Sequence, residues 1–129
     1  MNTYKCEYFE IEELVPPELM SLPEQCLWEL FDANLLIAID RLRITIGVPI
    51  TINNWKIGGN FKWAGYRTNS YKSDYNNSVH KLGLAVDIKV KGMSPEEVLT
   101  FIQNRLDEFP EIKYIENKLT YLHIDTQGC

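Results

Sequence analysis

The spacing of apolar positions changes along the chain, and each change marks an element. From 23 to 46, Leu27, Leu30, Phe31, Asn34, Leu35, Ala38, Ile39 and Leu42 recur at helical spacing. Pro23 suits a first turn, Arg41 and Arg43 suit a last turn, and Gly47 stops the run. One long helix is predicted there. A second is predicted over 92–109. Ser94 is its cap, Pro95 its first helical residue, and Val98, Phe101, Ile102 and Leu106 its buried stripe; Pro110 ends it.

Elsewhere the period is two. From Gly83 to Val90, Leu84, Val86 and Ile88 fall on one face, with Gly83, Ala85 and Asp87 on the other. Residues 112–116 read as a strand, Asn117 and Lys118 as a hairpin turn, and 119–126 as the returning strand. There Leu122 and Ile124 point to a core, and Tyr121, His123 and Asp125 point the other way. Residues 48–52 read as a short strand, 53–63 as a loop turning at Gly58 and Gly59, and 68–78 as a polar surface loop. Pro16 and Pro17 forbid a helix through the N-terminal arm, 1–22, which Phe9, Ile11 and Leu14 pin to the body. The sum is an α+β domain spanning 1–129: a small, mainly antiparallel sheet flanked by two main helices.

Length and composition narrow the possible functions. At 129 residues a single domain can bury a core without staples. The formal net charge is −5 and there is no basic run, which argues against nucleic acid as a partner. No apolar stretch is long enough to span or anchor in a membrane, and no secretory leader is legible, so the expectation is a monomer that is cytoplasmic as synthesised. The three cysteines, Cys6, Cys26 and Cys129, have neither metal spacing nor the pattern of a disulfide framework, although a Cys6–Cys129 bridge stays open.

The chemistry is concentrated. The chain has two histidines, His80 and His123, and each lies in a strand-forming segment that carries an aspartate. Adjacent strands would aim Asp87 and His123 into one space, and the small residues beside Asp87 leave room there. His80, seven positions before Asp87, must enter from the turn that Gly83 permits. Two imidazoles and a carboxylate are a common ligand set for a catalytic zinc, with a fourth position for water. Spacing alone also allows two ordinary, partly buried histidines with Asp87 as a turn carboxylate.

The wider pattern adds to this. Ser78-Val-His-Lys-Leu-Gly-Leu-Ala-Val-Asp87, followed by His123-Ile-Asp125 and preceded by Ala64-Gly-Tyr-Arg-Thr68 and Tyr75-Asn76, resembles the peptidase M15 family of zinc D-Ala-D-Ala peptidases. That family includes phage endolysins and murein endopeptidases. The resemblance covers about 49–128. It implies zinc held by His80, Asp87 and His123, with Arg67 contacting a substrate carbonyl or carboxylate. It also implies hydrolysis of peptidoglycan stem peptides, acting on the cell wall after release by another factor. Ser78 and Tyr121 join Arg67 as substrate-binding candidates; Ser78 equally suits a turn. Trp55, Phe61 and Trp63 crowd the same region as loop packing or as a cleft wall.

Many members of the family place a carboxylate three residues before the second histidine, where this chain has Thr120. Two residues remain as general base: Glu116, at the end of the preceding strand, and Asp125, which could instead support a ligand. Without a competent base the chain would be a zinc-stabilised binding or phage structural module, as the hedgehog signalling domain of this fold is thought to act by binding.

Overall fold

Ile50–Thr51 (β1), Ala85–Val90 (β2), Tyr114–Asn117 (β3) and Leu122–Asp125 (β4) pair antiparallel in the order β1-β2-β4-β3. The structure is a computed structural model and describes residues 4–71 and 79–127. With the helices Glu24–Trp28 (α1), Ala33–Ile46 (α2) and Pro95–Gln103 (α3), the class is α+β, as expected.

The sheet has two unlike faces because its strands alternate. Val86, Ile88, Val90, Leu122 and Ile124 are buried on one side, in a cluster with Leu35, Ile39 and Leu42 of α2 and Val98 and Ile102 of α3. Burial of each such side chain contributes about 1.5–3 kcal/mol before ordering costs. The other side carries Asp87, His123 and Glu116 in one row, since Asp87 and Glu116 each face His123 across a strand pair.

The predicted long helix is two. It breaks between Trp28 and Ala33, and the cause is tertiary. The Asp32 amide donates to the Gly83 carbonyl at 2.9 Å, and Thr126 Oγ1 donates to Asp32 Oδ2 at 2.8 Å. Asn34, placed on the expected stripe, is exposed, and Leu30 is only half-buried.

Other boundaries are shorter than expected. The second helix ends at Gln103, a 3-10 turn follows, and Leu106 is 55% exposed. Phe101 is half-buried, with the Arg105 guanidinium stacked 3.7 Å from its ring centre. Asn117 belongs to β3, so the hairpin turn moves on one residue and closes where the Lys118 amide meets the Tyr121 carbonyl at 3.0 Å. Ser94 caps α3 as predicted, and Glu97 completes a capping box: the Glu97 amide donates to Ser94 Oγ at 3.1 Å and the Ser94 amide to Glu97 Oε1 at 2.9 Å.

The arm is held by more than its apolar residues. Phe9, Ile11, Leu14 and Val15 are buried. The buried Asp40 carboxylate on α2 accepts from Tyr4 Oη at 2.6 Å and from the Glu7 and Tyr8 amides at 2.8 and 3.1 Å. Among the described residues, no helix is long and apolar enough to cross a membrane.

Candidate metal centre

The centre is built where the sheet's polar face meets the turn before β2. Asp87 and His123 are opposed on neighbouring strands. The Asp87 amide donates to the Ala64 carbonyl at 2.8 Å, away from β4, so the two residues form the closer, non-hydrogen-bonded kind of pair. His80 arrives from a 3-10 turn, Val79–Leu82, that Gly83 terminates at a φ of 71°. Only glycine adopts that conformation without strain. A side chain at Gly83 would also strike the Leu30 carbonyl.

Three donor atoms converge. Asp87 Oδ1 lies 2.9 Å from His123 Nδ1 and 3.3 Å from His80 Nε2, and the atoms the three residues offer lie within 4.8 Å of one another. The outer nitrogen of each ring is engaged elsewhere. His80 Nδ1 is 2.9 Å from the Gly65 carbonyl oxygen, and His123 Nε2 is 3.0 Å from Asp125 Oδ2. Those oxygens can only accept, so the outer nitrogens carry the protons. In the neutral rings the inner nitrogens are then lone pairs aimed at a carboxylate oxygen. Three facing lone pairs repel unless a cation lies among them, and the residues can hold a metal ion.

Ionisation follows the same contacts. Without a metal, a proton on an inner nitrogen turns it into a donor: burial works to raise the Asp87 pKa, but hydrogen bonds from His123 and His80 outweigh it and hold the carboxyl down at about 2. Burial works to lower that of His123, and the Asp87 and Asp125 carboxylates outweigh it, so the ring is shifted upward. A proton and a metal ion thus compete for one nitrogen.

Arg67 is committed in a way its sequence position does not reveal. Its Nε donates to the Trp63 carbonyl at 2.7 Å and its Nη2 to Asp87 Oδ2 at 3.1 Å, leaving Oδ1 turned toward the histidines. Its guanidinium also stacks on Tyr71, 4.3 Å from the ring centre. Beside it opens a cleft of about 300 Å³, with Asp87 at its edge and walls that include Phe61, Trp63, Tyr71 and Tyr121. Trp63 and Phe61 are therefore cleft wall, and so is Tyr121.

The two candidate bases differ sharply. Asp125 is 3% exposed; besides meeting His123 it accepts the Gln127 amide on Oδ1 at 3.1 Å. Glu116 lies across from His123, half-exposed, with Lys118 Nζ at 2.7 Å and Tyr114 Oη at 3.3 Å. The Lys118 hydrogen bond leads in holding its carboxyl below the usual range. Ser78, Tyr75, Asn76 and Cys129 lie outside the described residues.

Two contributors escaped the sequence reading. Gly65 supplies the carbonyl that orients His80, and a side chain there would strike the Leu14 carbonyl, which accepts the Tyr66 amide at 2.7 Å. No periodicity marks it. Lys89 shares the Asp87 face of β2 by simple alternation, a signal that was present in the sequence. No family model, curated protein or solved structure matches the chain.

Proposed function

We propose that the chain is a zinc-dependent peptidase of the D-Ala-D-Ala carboxypeptidase and murein endopeptidase type, with a hedgehog-like arrangement of its sheet, acting on peptidoglycan stem peptides. The observation that carries this reading is the convergence of His80 Nε2, His123 Nδ1 and Asp87 Oδ1 at the edge of an aromatic cleft. Two neutral imidazoles and one carboxylate suit zinc and leave a coordination position open. When bound, the ion supplies a Lewis acid that acidifies water and polarises a carbonyl.

The chain's own residues do the rest. His80 and His123 are fixed in the tautomers that present inner lone pairs, by Gly65 and Asp125 respectively. Arg67 keeps one oxygen of Asp87 turned inward. It also stands in the wall of the cleft, where its positive charge favours a substrate carbonyl or carboxylate beside it. Glu116 is ionised at neutral pH and sits beside His123, so it is the residue assigned to take a proton from water and return it to the leaving amine. Asp125, buried behind His123, orients that ring.

One observation favours a second reading, a zinc-stabilised binding module. Glu116 is paired with Lys118 and open to solvent, a poor setting for a strong base. Metal content and murein-peptide hydrolysis, measured on wild type and His80→Ala, test the proposal. The expected result is about one zinc per chain and cleavage in wild type, with both lost in the variant. Zinc bound without cleavage of any stem peptide would favour the binding module. No zinc in wild type would overturn both.

A further inference from the structure

The cleft beside Asp87 carries a charge opposite to that of the molecule. The chain is acidic overall, at −5. Yet Asp87 is the one acid among the described residues lining the cleft, against the cations Lys62, Arg67 and Lys89. Asp87 is already matched by the Arg67 guanidinium. The described lining therefore presents net positive charge to whatever enters the cleft, in partly desolvated surroundings where a charge–charge contact counts for more than on the open surface.

Lys89 is the residue placed to use that charge. It lies two positions after Asp87 on the same face of β2, about 7 Å along the strand. It is half-buried, and its Nζ stands 4.5 Å from the centre of the Phe61 ring. No carboxylate of the described residues pairs with it at ion-pair distance, in contrast to Arg41, Lys56 and Lys118 on the outer surface. The sheet thus holds an ammonium against an aromatic wall, two residues from a metal ligand, facing open volume.

We infer that Lys89 is a specificity-determining residue. It binds a carboxylate of the peptide in the cleft, one to two residues from the carbonyl that lies at the metal centre. This rests on the peptidase reading for the identity of the peptide. Its chemistry comes from the cleft itself: an extended peptide advances about 3.4 Å per residue, so the spacing from Asp87 to Lys89 fits that separation. Phe61 and Trp63 supply apolar contact for the intervening side chain, and Lys62, exposed at the rim with its Nζ 5.9 Å from the Trp63 ring centre, adds charge there.

The test uses the full chain loaded with zinc and three forms of one stem pentapeptide containing γ-linked D-glutamate. One form has all carboxylates free, one is amidated at the glutamate α-carboxylate, and one is amidated at the C-terminus. Dissociation constants are measured by calorimetry, and cleavage is followed in parallel. In wild type, one amidation is expected to weaken binding about tenfold, the loss of one charge-assisted contact. In Lys89→Met, which keeps the stem packed on Phe61, that ratio falls to near one; Lys89→Arg restores it. If the ratio is the same in wild type and Lys89→Met, or if no form binds, the inference is overturned. Selective binding without cleavage would remove the peptidase reading and leave the carboxylate site standing. Cleavage with no dependence on Lys89 would do the reverse.

Discussion

Asp125 lies behind the ligand triangle, yet it decides how His123 is presented to it. Replacing it with alanine leaves Nε2 without its acceptor and lets the ring change tautomer or turn. Zinc affinity should fall roughly 10–100-fold, as for other outer partners of metal-bound histidines. Asp125→Asn, which keeps an acceptor oxygen, should lose less. Competition against a chromophoric chelator reads both, and equal affinity in all three proteins would remove Asp125 from the site. Glu116 belongs to a different category. On the proposed peptidase function, Glu116→Gln should leave zinc stoichiometry intact while hydrolysis falls by about 100-fold or more. The candidate ligands were legible because the chain has only two histidines, each spaced from an aspartate in a pattern with little slack. The Arg67–Asp87 contact was not, because nothing local in a pair twenty positions apart states that they meet.

Elements show where local rules lose to packing. Residues 29–32 contain neither glycine nor proline; Asp32, a residue type favoured at helix starts, is the local mark of the break between α1 and α2, and its side chain makes no cap. The break is imposed by Gly83, whose carbonyl takes the Asp32 amide while the Leu30 carbonyl occupies the space where a side chain would be. Gly83→Ala and Gly47→Ala make an informative pair. Both positions have positive φ, at 71° and 76°, but an added carbon at Gly47 meets nothing within 4 Å. Gly47→Ala should cost about 1–2 kcal/mol from backbone strain alone. Gly83→Ala should exceed it by more than about 1 kcal/mol and weaken zinc binding as well, because the turn that carries His80 must shift. Denaturant titration of the two variants checks this, and similar costs would contradict the packing account. By contrast, the start of α3 was readable from Ser94, Pro95 and Glu97 because a capping box is local chemistry. Ser94→Ala should cost about 1 kcal/mol. The Glu97 pKa is lowered in the fold by the Ser94 amide, so its carboxylate stabilises above the unfolded value of 4.5. That contribution fades as pH falls through the lower folded value. The stability difference between wild type and Glu97→Ala should therefore narrow in acid.

At the scale of the whole molecule, the arm that sequence treated as a passive strap is coupled to the metal centre. Its Glu13 and Leu14 carbonyls take the Asn53 and Tyr66 amides at 2.8 and 2.7 Å. Buried Asn53 donates to the Val15 carbonyl at 3.0 Å and accepts the Ala64 amide at 2.9 Å, so one side chain ties the arm to the segment whose Gly65 carbonyl orients His80. Asn53→Ala should destabilise the fold by about 1–3 kcal/mol, since it strands a buried donor. It should reduce zinc affinity without abolishing it, unlike His80→Ala. Zinc at a thousandfold excess over its dissociation constant adds about 4 kcal/mol of stability. Chelation should then lower the wild-type Tm by on the order of 10 °C, and by less in Asn53→Ala. Coupling between two sites is reciprocal, so an ion bound at the centre would also steady the arm. Zinc should slow hydrogen exchange at the Tyr66 and Asn53 amides, which the arm's carbonyls hold, more than at the Met93 amide, which donates to the Val90 carbonyl at the far end of β2. Slowing confined to β2 and β4 would mean that the arm is bonded to the centre but carries none of its free energy.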